Sequence, residues 1–151
     1  MFLTQCSNNK ELKLFNKIIE KRLFSNYDCD KYYRPDDWKE HLHFILYKKE
    51  KVVCVAMVHL EENNVVIIKF LATAKKYERQ GFAKNMLKLL EEWAVAQKRK
   101  LIKVFSLINS KEFYQKQGYT NYSDLDFYKR RKFDKTWNHI AVDMIHLGKF
   151  L

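Results

Sequence analysis

The sequence predicts an α/β (α+β) fold: a mixed, mostly antiparallel central sheet of about six to seven strands, flanked by helices. Three observations lead there. Apolar residues recur at helical spacing over about 10–24 and again over 81–97. Between these stretches, residues 41–73 hold three apolar runs separated by Lys48-Lys49-Glu50-Lys51 and Glu61-Glu62-Asn63-Asn64, the pattern of an antiparallel meander. After the second helix an apolar run returns at 101–107, followed by two more strand-like stretches, so strands and helices contribute to one sheet.

Taken in order, Phe2 to Cys6 reads as a short first strand. Ser7-Asn8-Asn9 offers capping side chains for a helix that carries Leu12, Phe15, Ile18, Ile19 and Leu23 on one face. Residues 25–40 are irregular and aromatic. Strands follow at 41–47, 52–60 and 65–73. Gly81 to about Gln97 is a helix with Phe82, Met86, Leu89, Leu90 and Trp93 inward. Leu101 to Leu107 is a buried strand, and Ser110 to Gln117 a short helix stopped by Gly118 at its C′ position. Residues 119–127 and 139–147 read as two closing strands joined by a basic loop.

The 151 residues suit a single domain over 1–151. A hydrophobic content of 47% and an aromatic content of 15% exclude a disordered chain. No apolar run approaches the roughly 20 residues that span a bilayer, and the first residues lack the pattern of a secretory signal. The three cysteines, Cys6, Cys29 and Cys54, are odd in number and lack metal-ligand spacing, so reduced thiols in a cytoplasmic protein are expected, with no metal. The formal charge of +11 points towards polyanions: nucleic acid, an anionic membrane surface or a phosphorylated cofactor. Scattered lysines also simply solvate a surface, so charge alone does not choose.

Chemistry concentrates in two segments. The strand Val65–Thr73 runs through a charged turn, Ala74–Gln80, into Gly81-Phe82-Ala83 at the head of the long helix. Free N–H groups and the helix dipole make such a junction an anion site, and Gly81 and Ala83 let a phosphate come close. Lys75, Lys76, Arg79 and Lys84 add cations; an ordinary helix start with a packing glycine has the same letters. The second segment places Asn109 at the end of a buried strand and Tyr114 on the short helix beside it. A phenol there can donate a proton, or can be a core aromatic.

Together the two segments resemble the GNAT family of acetyl-coenzyme A dependent N-acetyltransferases, over residues 41–119 and by element order beyond. Glu78-Arg79-Gln80-Gly81-Phe82-Ala83 is similar to the family's Arg/Gln-x-x-Gly-x-Gly/Ala in its glycine and alanine, but begins with Glu78, with Arg79 one place later. Asn109, Phe113-Tyr114 and Gly118-Tyr119 match the second motif. The resemblance implies one GNAT-like domain in which backbone groups of Leu71, Ala72 and Thr73 face the pantetheine arm and thioester carbonyl. Arg79 and the amides of Gln80, Gly81, Phe82, Ala83 and Lys84 would hold the pyrophosphate, and Asn109 would touch the pantetheine. Tyr114 would protonate the departing thiolate after direct attack by a neutral amine in a ternary complex, with no covalent enzyme intermediate. Cys54 is then a buried structural thiol.

Histone-modifying members of the family carry a glutamate base where this chain has Ile67. Strand arithmetic from the two turns pairs His41–Val58–Ile67, His43–Ala56–Lys69 and Ile45–Cys54–Leu71 on one face. The opposite face, with Leu42, Phe44, Leu46, Val53, Val55, Met57, Val66, Ile68 and Phe70, packs on the long helix. His43, with His41 second, is the candidate base or water-relay anchor; both also fit half-exposed strand histidines without a role. The acceptor is an amine of open identity. The resemblance implies that the acidic, aromatic stretch 26–40 and the basic loop Lys129-Arg130-Arg131-Lys132 border the acceptor site: the first would favour a cationic amine and the second an acidic acceptor or RNA, while each also fits a loop that simply faces water. A nucleic-acid-binding module and a catalytically silent coenzyme A-binding module are the alternatives. No membrane partner is expected, and the protein is expected to be a monomer or homodimer.

Overall fold

The computed structural model describes residues 1–23, 41–121 and 144–151. The acidic stretch 26–40, Cys29, the basic loop 129–132 and the parts of the closing strands expected at 122–127 and 139–143 lie outside these residues.

The described elements are β1 (Phe2–Gln5), α1 (Asn9–Leu23), β2 (Leu42–Lys48), β3 (Lys51–Glu61), β4 (Val65–Thr73), α2 (Phe82–Ala96), β5 (Leu101–Leu107), α3 (Lys111–Lys116), β6 (Thr120–Asn121) and β7 (Met144–Phe150). They form one seven-stranded sheet in the order β1-β2-β3-β4-β5-β7-β6. All neighbours are antiparallel except β4 and β5, which are parallel. The mixed, mostly antiparallel sheet is thus as expected, and β4 and β5 begin and end where the apolar runs do. The last strand ends at Phe150 rather than 147.

Local chemistry sets the helix ends. Asn8 caps α1: its Oδ1 accepts from Glu11 N–H at 2.9 Å, and Glu11 Oε1 accepts from Asn8 Nδ2 at 2.8 Å. Glu11 also accepts from Ser7 N–H at 3.3 Å, which makes a reciprocal box around the first turn. At the other end of the chain, α3 closes in a Schellman turn. Tyr119 N–H donates to Tyr114 O and Gly118 N–H to Gln115 O, with Gly118 at φ +92°.

The helices cover opposite faces of the sheet. Phe15 and Ile19 of α1 pack on Ile45, Val55, Met57, Phe70 and Ala72. Phe82, Met86, Leu87 and Leu90 of α2 pack on Phe44, Cys54, Ala56, Val58, Val66 and Ile68. Each large apolar side chain fully buried this way contributes about 1.5–3 kcal/mol.

Here the structure corrects the register. Lys48↔Lys51 and Tyr47↔Val52 follow from the turn as expected, but Val53 bulges and Leu46 faces Cys54. Every later pair shifts by one, so His43 lies opposite Met57, not Ala56. A second irregularity inserts Lys69 between the pairs Val58↔Ile68 and Met57↔Phe70. One extra residue reverses the face of everything beyond it. Cys54, Ala56 and Val58 therefore belong to the α2 side, and Val55, Met57 and Phe70 to the α1 side.

Candidate active site

The pairing of β4 and β5 ends partway along both strands, and the space between their unpaired ends is the candidate cleft. Their parallel pairing runs from Val65↔Leu101 to Ile68↔Val104 and stops. Beyond it β5 continues along β7 as far as Leu107↔Met144, while β4 continues along β3 as far as Thr73↔Cys54. The β5-facing edge of Lys69–Thr73 is thus outside the β4–β5 ladder. Ala74 N–H donates to Val53 O at 3.0 Å, which makes Val53 and Ala74 a hydrogen-bonded pair. Antiparallel alternation then directs the peptide groups of Ala72 to Val55 in β3 and those of Leu71 and Thr73 into the cleft. Of the three residues expected along the pantetheine, Leu71 and Thr73 present their backbone and Ala72 does not.

The stretch of β4 beyond its pairing with β5 leads straight into a helix N-terminus. A 3₁₀ turn, Lys75–Tyr77, is followed by Glu78, then Arg79 at φ +59°, Gln80 and Gly81 at φ +81°. The first α-helical bond of α2 runs from Asn85 N–H to Gly81 O at 3.0 Å, so the N–H groups of Phe82, Ala83 and Lys84 have no acceptor within the helix. Gly81 offers no capping side chain. A Cβ placed on Gly81 would meet nothing within 4 Å, so the backbone there is open to close approach. That is the form a diphosphate requires, with N–H groups converging at the positive end of a 15-residue helix.

The expected residues take distinct parts in this turn. Arg79, Gln80 and Lys84 are exposed and Ala83 is half-buried. Gln80 Nε2 donates to Lys76 O at 3.3 Å, which braces the turn. Phe82 contributes only its N–H, because its ring is in the core, edge-on to Tyr77. Lys48 Nζ lies 5.2 Å from the centre of that ring, which adds a cation at the mouth. Sequence reading missed Lys48, since only the folded β2–β3 hairpin brings it to α2. It also left Glu78 without a role; the carboxylate forms an ion pair with Arg22 in the last turn of α1.

Tyr114 comes from α3, which follows β5. It is buried, with Phe113 and Tyr119 edge-on at 5.0 and 5.8 Å. Burial, reinforced by the neighbouring Cys54 thiol, holds its phenol above the ordinary tyrosine range. Cys54 is itself buried, and its thiol is pushed up to about 12 by burial. Its Sγ accepts from Thr73 Oγ1 at 3.6 Å. Cys54 therefore links Thr73, at the end of β4, to the Tyr114 side of the cleft. Cys54 and Cys6 are free thiols. Asn109 is exposed in the 3₁₀ turn Ile108–Ser110 that ends β5, on the opposite arm of the cleft from Thr73.

Tyr119 Oη donates to Glu91 Oε1 at 3.0 Å, and Lys149 Nζ donates to Glu91 Oε2 at 3.1 Å and to Gln117 O at 3.0 Å. This network fixes the loop after α3, and hence Tyr114, against α2 and β7.

His43 is not brought to this group. It is 3% exposed, lies under α1 with Phe15 edge-on at 4.8 Å, and is on the sheet face opposite the Tyr114 cluster. Burial lowers its pKa to about 4, with His41 adding to the effect, so its imidazole is neutral at pH 7. His41 packs instead against His59, ring centres 5.0 Å apart. Ile67 is buried, as a residue without proton chemistry can be. Among the described residues no group of three or more His, Cys, Asp or Glu is placed to hold a metal, and no helix is long and apolar enough to cross a membrane.

Known proteins share this fold. The family model described as Acetyltransferase (GNAT) family matches residues 12–119. A search of curated proteins finds no match. Among solved structures, a GNAT family acetyltransferase from Elizabethkingia anophelis with acetyl-CoA bound superposes with a TM-score of 0.74 at 17% identity, covering 99% of this chain and 97% of that one. An acetyltransferase from Bacillus subtilis in complex with CoA gives a TM-score of 0.70 at 19% identity, with the same coverage. The ribosomal-protein-S18-alanine N-acetyltransferase from Escherichia coli gives 0.71 at 16% identity, covering 99% of this chain and 94% of that one. At such identities these likenesses speak for the fold. With the family model spanning both motifs and the parted β4–β5 pair between them, the chain belongs to the GNAT acetyltransferase family.

Proposed function

We propose that this protein transfers the acetyl group of acetyl-coenzyme A to a primary amine, on a small molecule or a protein, by direct attack in a ternary complex. The observation that carries this reading is the continuity of the β4 edge that leaves the β4–β5 ladder with the uncapped, glycine-opened N-terminus of α2. The spacing suits a long, anionic thioester: amide groups along β4 for the arm, then N–H donors for the diphosphate.

The chain's residues would divide the work as follows. The N–H groups of Gly81, Phe82, Ala83 and Lys84, with Arg79 and Gln80 beside them, anchor the diphosphate. Leu71 and Thr73 hold the arm by backbone hydrogen bonds, and a donor on the same edge stabilises charge on the thioester oxygen as the amine adds. Asn109 closes on the arm from the β5 side. Tyr114 supplies a protonated phenol where the thiolate departs. That phenol, its pKa raised further by burial, is protonated at neutral pH and donates a hydrogen bond to the developing sulfur charge; as the C–N bond forms and the C–S bond breaks, the nitrogen releases its proton to water and the departing thiolate takes one from water. Positioning of the amine supplies much of the remaining rate. His43, neutral but covered by Phe15, influences the amine only through the β2–β3 packing that it supports.

Two measurements test this reading. Acetyl-CoA should raise the melting temperature where an unrelated polyanion, such as heparin, does not; equal stabilisation by both favours the nucleic-acid alternative. Thiol release from acetyl-CoA over a panel of amines, peptides and amino acids should then identify an acceptor. Binding without release for any member of the panel favours the silent module.

A further inference from the structure

The Glu78–Arg22 ion pair lies where it can govern the anion site, and the inference rests on the coenzyme A reading above. In the motif that this turn resembles, the place of Glu78 belongs to a neutral or cationic side chain. A carboxylate there is a liability. Glu78 precedes Gly81 by three residues, at most about 10 Å of extended chain, which is close to the screening length of physiological salt. Left alone, its charge would repel the diphosphate that the α2 N–H groups attract. Arg22 reaches it from the last turn of α1, fifty-six residues away in sequence. Both side chains are about a third exposed, at 31% and 38%. Exposed pairs of this kind add little to stability, so any consequence falls on what lies next to them.

We infer that Arg22 is a positioning residue for the donor site: it neutralises and turns aside the Glu78 carboxylate, so that the cradle at Gly81–Lys84 faces the diphosphate without an adjacent negative charge. The first helix thereby contributes to cofactor binding without touching the cofactor. The pair also joins the end of α1 to the donor turn.

The test is the dissociation constant of coenzyme A, measured by calorimetry at low and high salt, which needs no acceptor. R22Q should weaken binding roughly three- to tenfold at low ionic strength, because a lone charge is left near a polyanion. That loss should shrink in 0.5 M salt, and the melting temperature without ligand should not change. R22K, which keeps the charge, should bind nearly as wild type. E78Q should bind as tightly as wild type or more tightly, and R22Q/E78Q should return to the wild-type constant. Once an acceptor is known, R22Q should raise KM for acetyl-CoA and leave kcat within about twofold.

Equal weakening by R22Q and E78Q would overturn the proposal in favour of a mechanical tie. So would an R22Q constant indistinguishable from wild type, or a double variant as weak as R22Q. A wild-type protein that binds coenzyme A but acetylates no amine would sink the proposed function and leave this inference to the binding constants. A wild type that does not bind coenzyme A would sink both.

Discussion

Substituting Gly81 with alanine separates the two tasks of that residue. Its φ of +81° is left-handed, which costs an L-residue about 1–2 kcal/mol. There is no added steric cost inside the protein, since the new methyl would meet nothing within 4 Å. For a domain of this length, about 1 kcal/mol shifts the melting temperature by roughly 2–4 °C, so Gly81→Ala should melt about 2–8 °C lower. The same methyl projects into the space that a diphosphate would occupy and should disrupt one or two charge-assisted hydrogen bonds of about 1.5–3 kcal/mol each. Coenzyme A should therefore bind at least about tenfold more weakly. Gly81→Asn refines the test, because asparagine adopts the left-handed region more readily. It should recover much of the lost melting temperature and none of the lost affinity. Differential scanning fluorimetry and calorimetric titration with coenzyme A give the two numbers on one preparation. If Gly81→Ala lowers the melting temperature but binds coenzyme A like wild type, the diphosphate does not sit at this helix end.

Other expectations follow from the same geometry. Tyr114→Phe keeps the ring among Phe113 and Tyr119, so stability should change by no more than about 1 kcal/mol, while steady-state thiol release should show kcat lower by a factor of roughly 10²; a kcat within twofold of wild type removes the phenol from the chemistry. His43, with a folded pKa of about 4 against 6.5, takes up its proton later than the unfolded chain does. The native state should therefore lose stability as pH falls from about 6.5 to 4, by up to roughly 3 kcal/mol from this group. Urea midpoints across that window should fall less steeply in His43→Gln, and parallel slopes would contradict a buried neutral imidazole. The alkaline limb of the pH–rate profile should be unchanged in His43→Ala, since the residue is remote from Tyr114. Asn8→Ala should cost about 1 kcal/mol through loss of the α1 cap, read as a lower urea midpoint with coenzyme A affinity unaltered.

Much of the fold could be read from local pattern. The apolar runs of β4 and β5 are bounded by turn residues on both sides, and Asn8 and Gly118 mark helix ends by chemistry that depends on a few neighbours only. The candidate anion site could be proposed for the same reason, since it consists of a strand end, a glycine and a helix start in consecutive sequence. The face of β3 was not. Residues 52–60 are apolar nearly throughout, because both faces of that strand are covered, one by α1 and the other by α2. A strand without alternation cannot report which side chains share a face, and bulges at Val53 and Lys69 then decide it. His43 lies on the β2 face expected of it, away from α2; what the local pattern does not show is that α1 covers that face, with Phe15 edge-on to the imidazole. Contacts far apart in sequence, such as Arg22 with Glu78 and Lys48 with Phe82, have no local signature at all.

A crystal structure of the protein grown with acetyl-coenzyme A tests the central claim most directly. Diphosphate oxygens should lie about 2.7–3.2 Å from N–H groups at Gly81–Lys84, with the arm along Leu71 and Thr73 and the sulfur within hydrogen-bond reach of Tyr114 Oη. A diphosphate bound away from the head of α2, or a sulfur that the Tyr114 phenol does not reach, would contradict it.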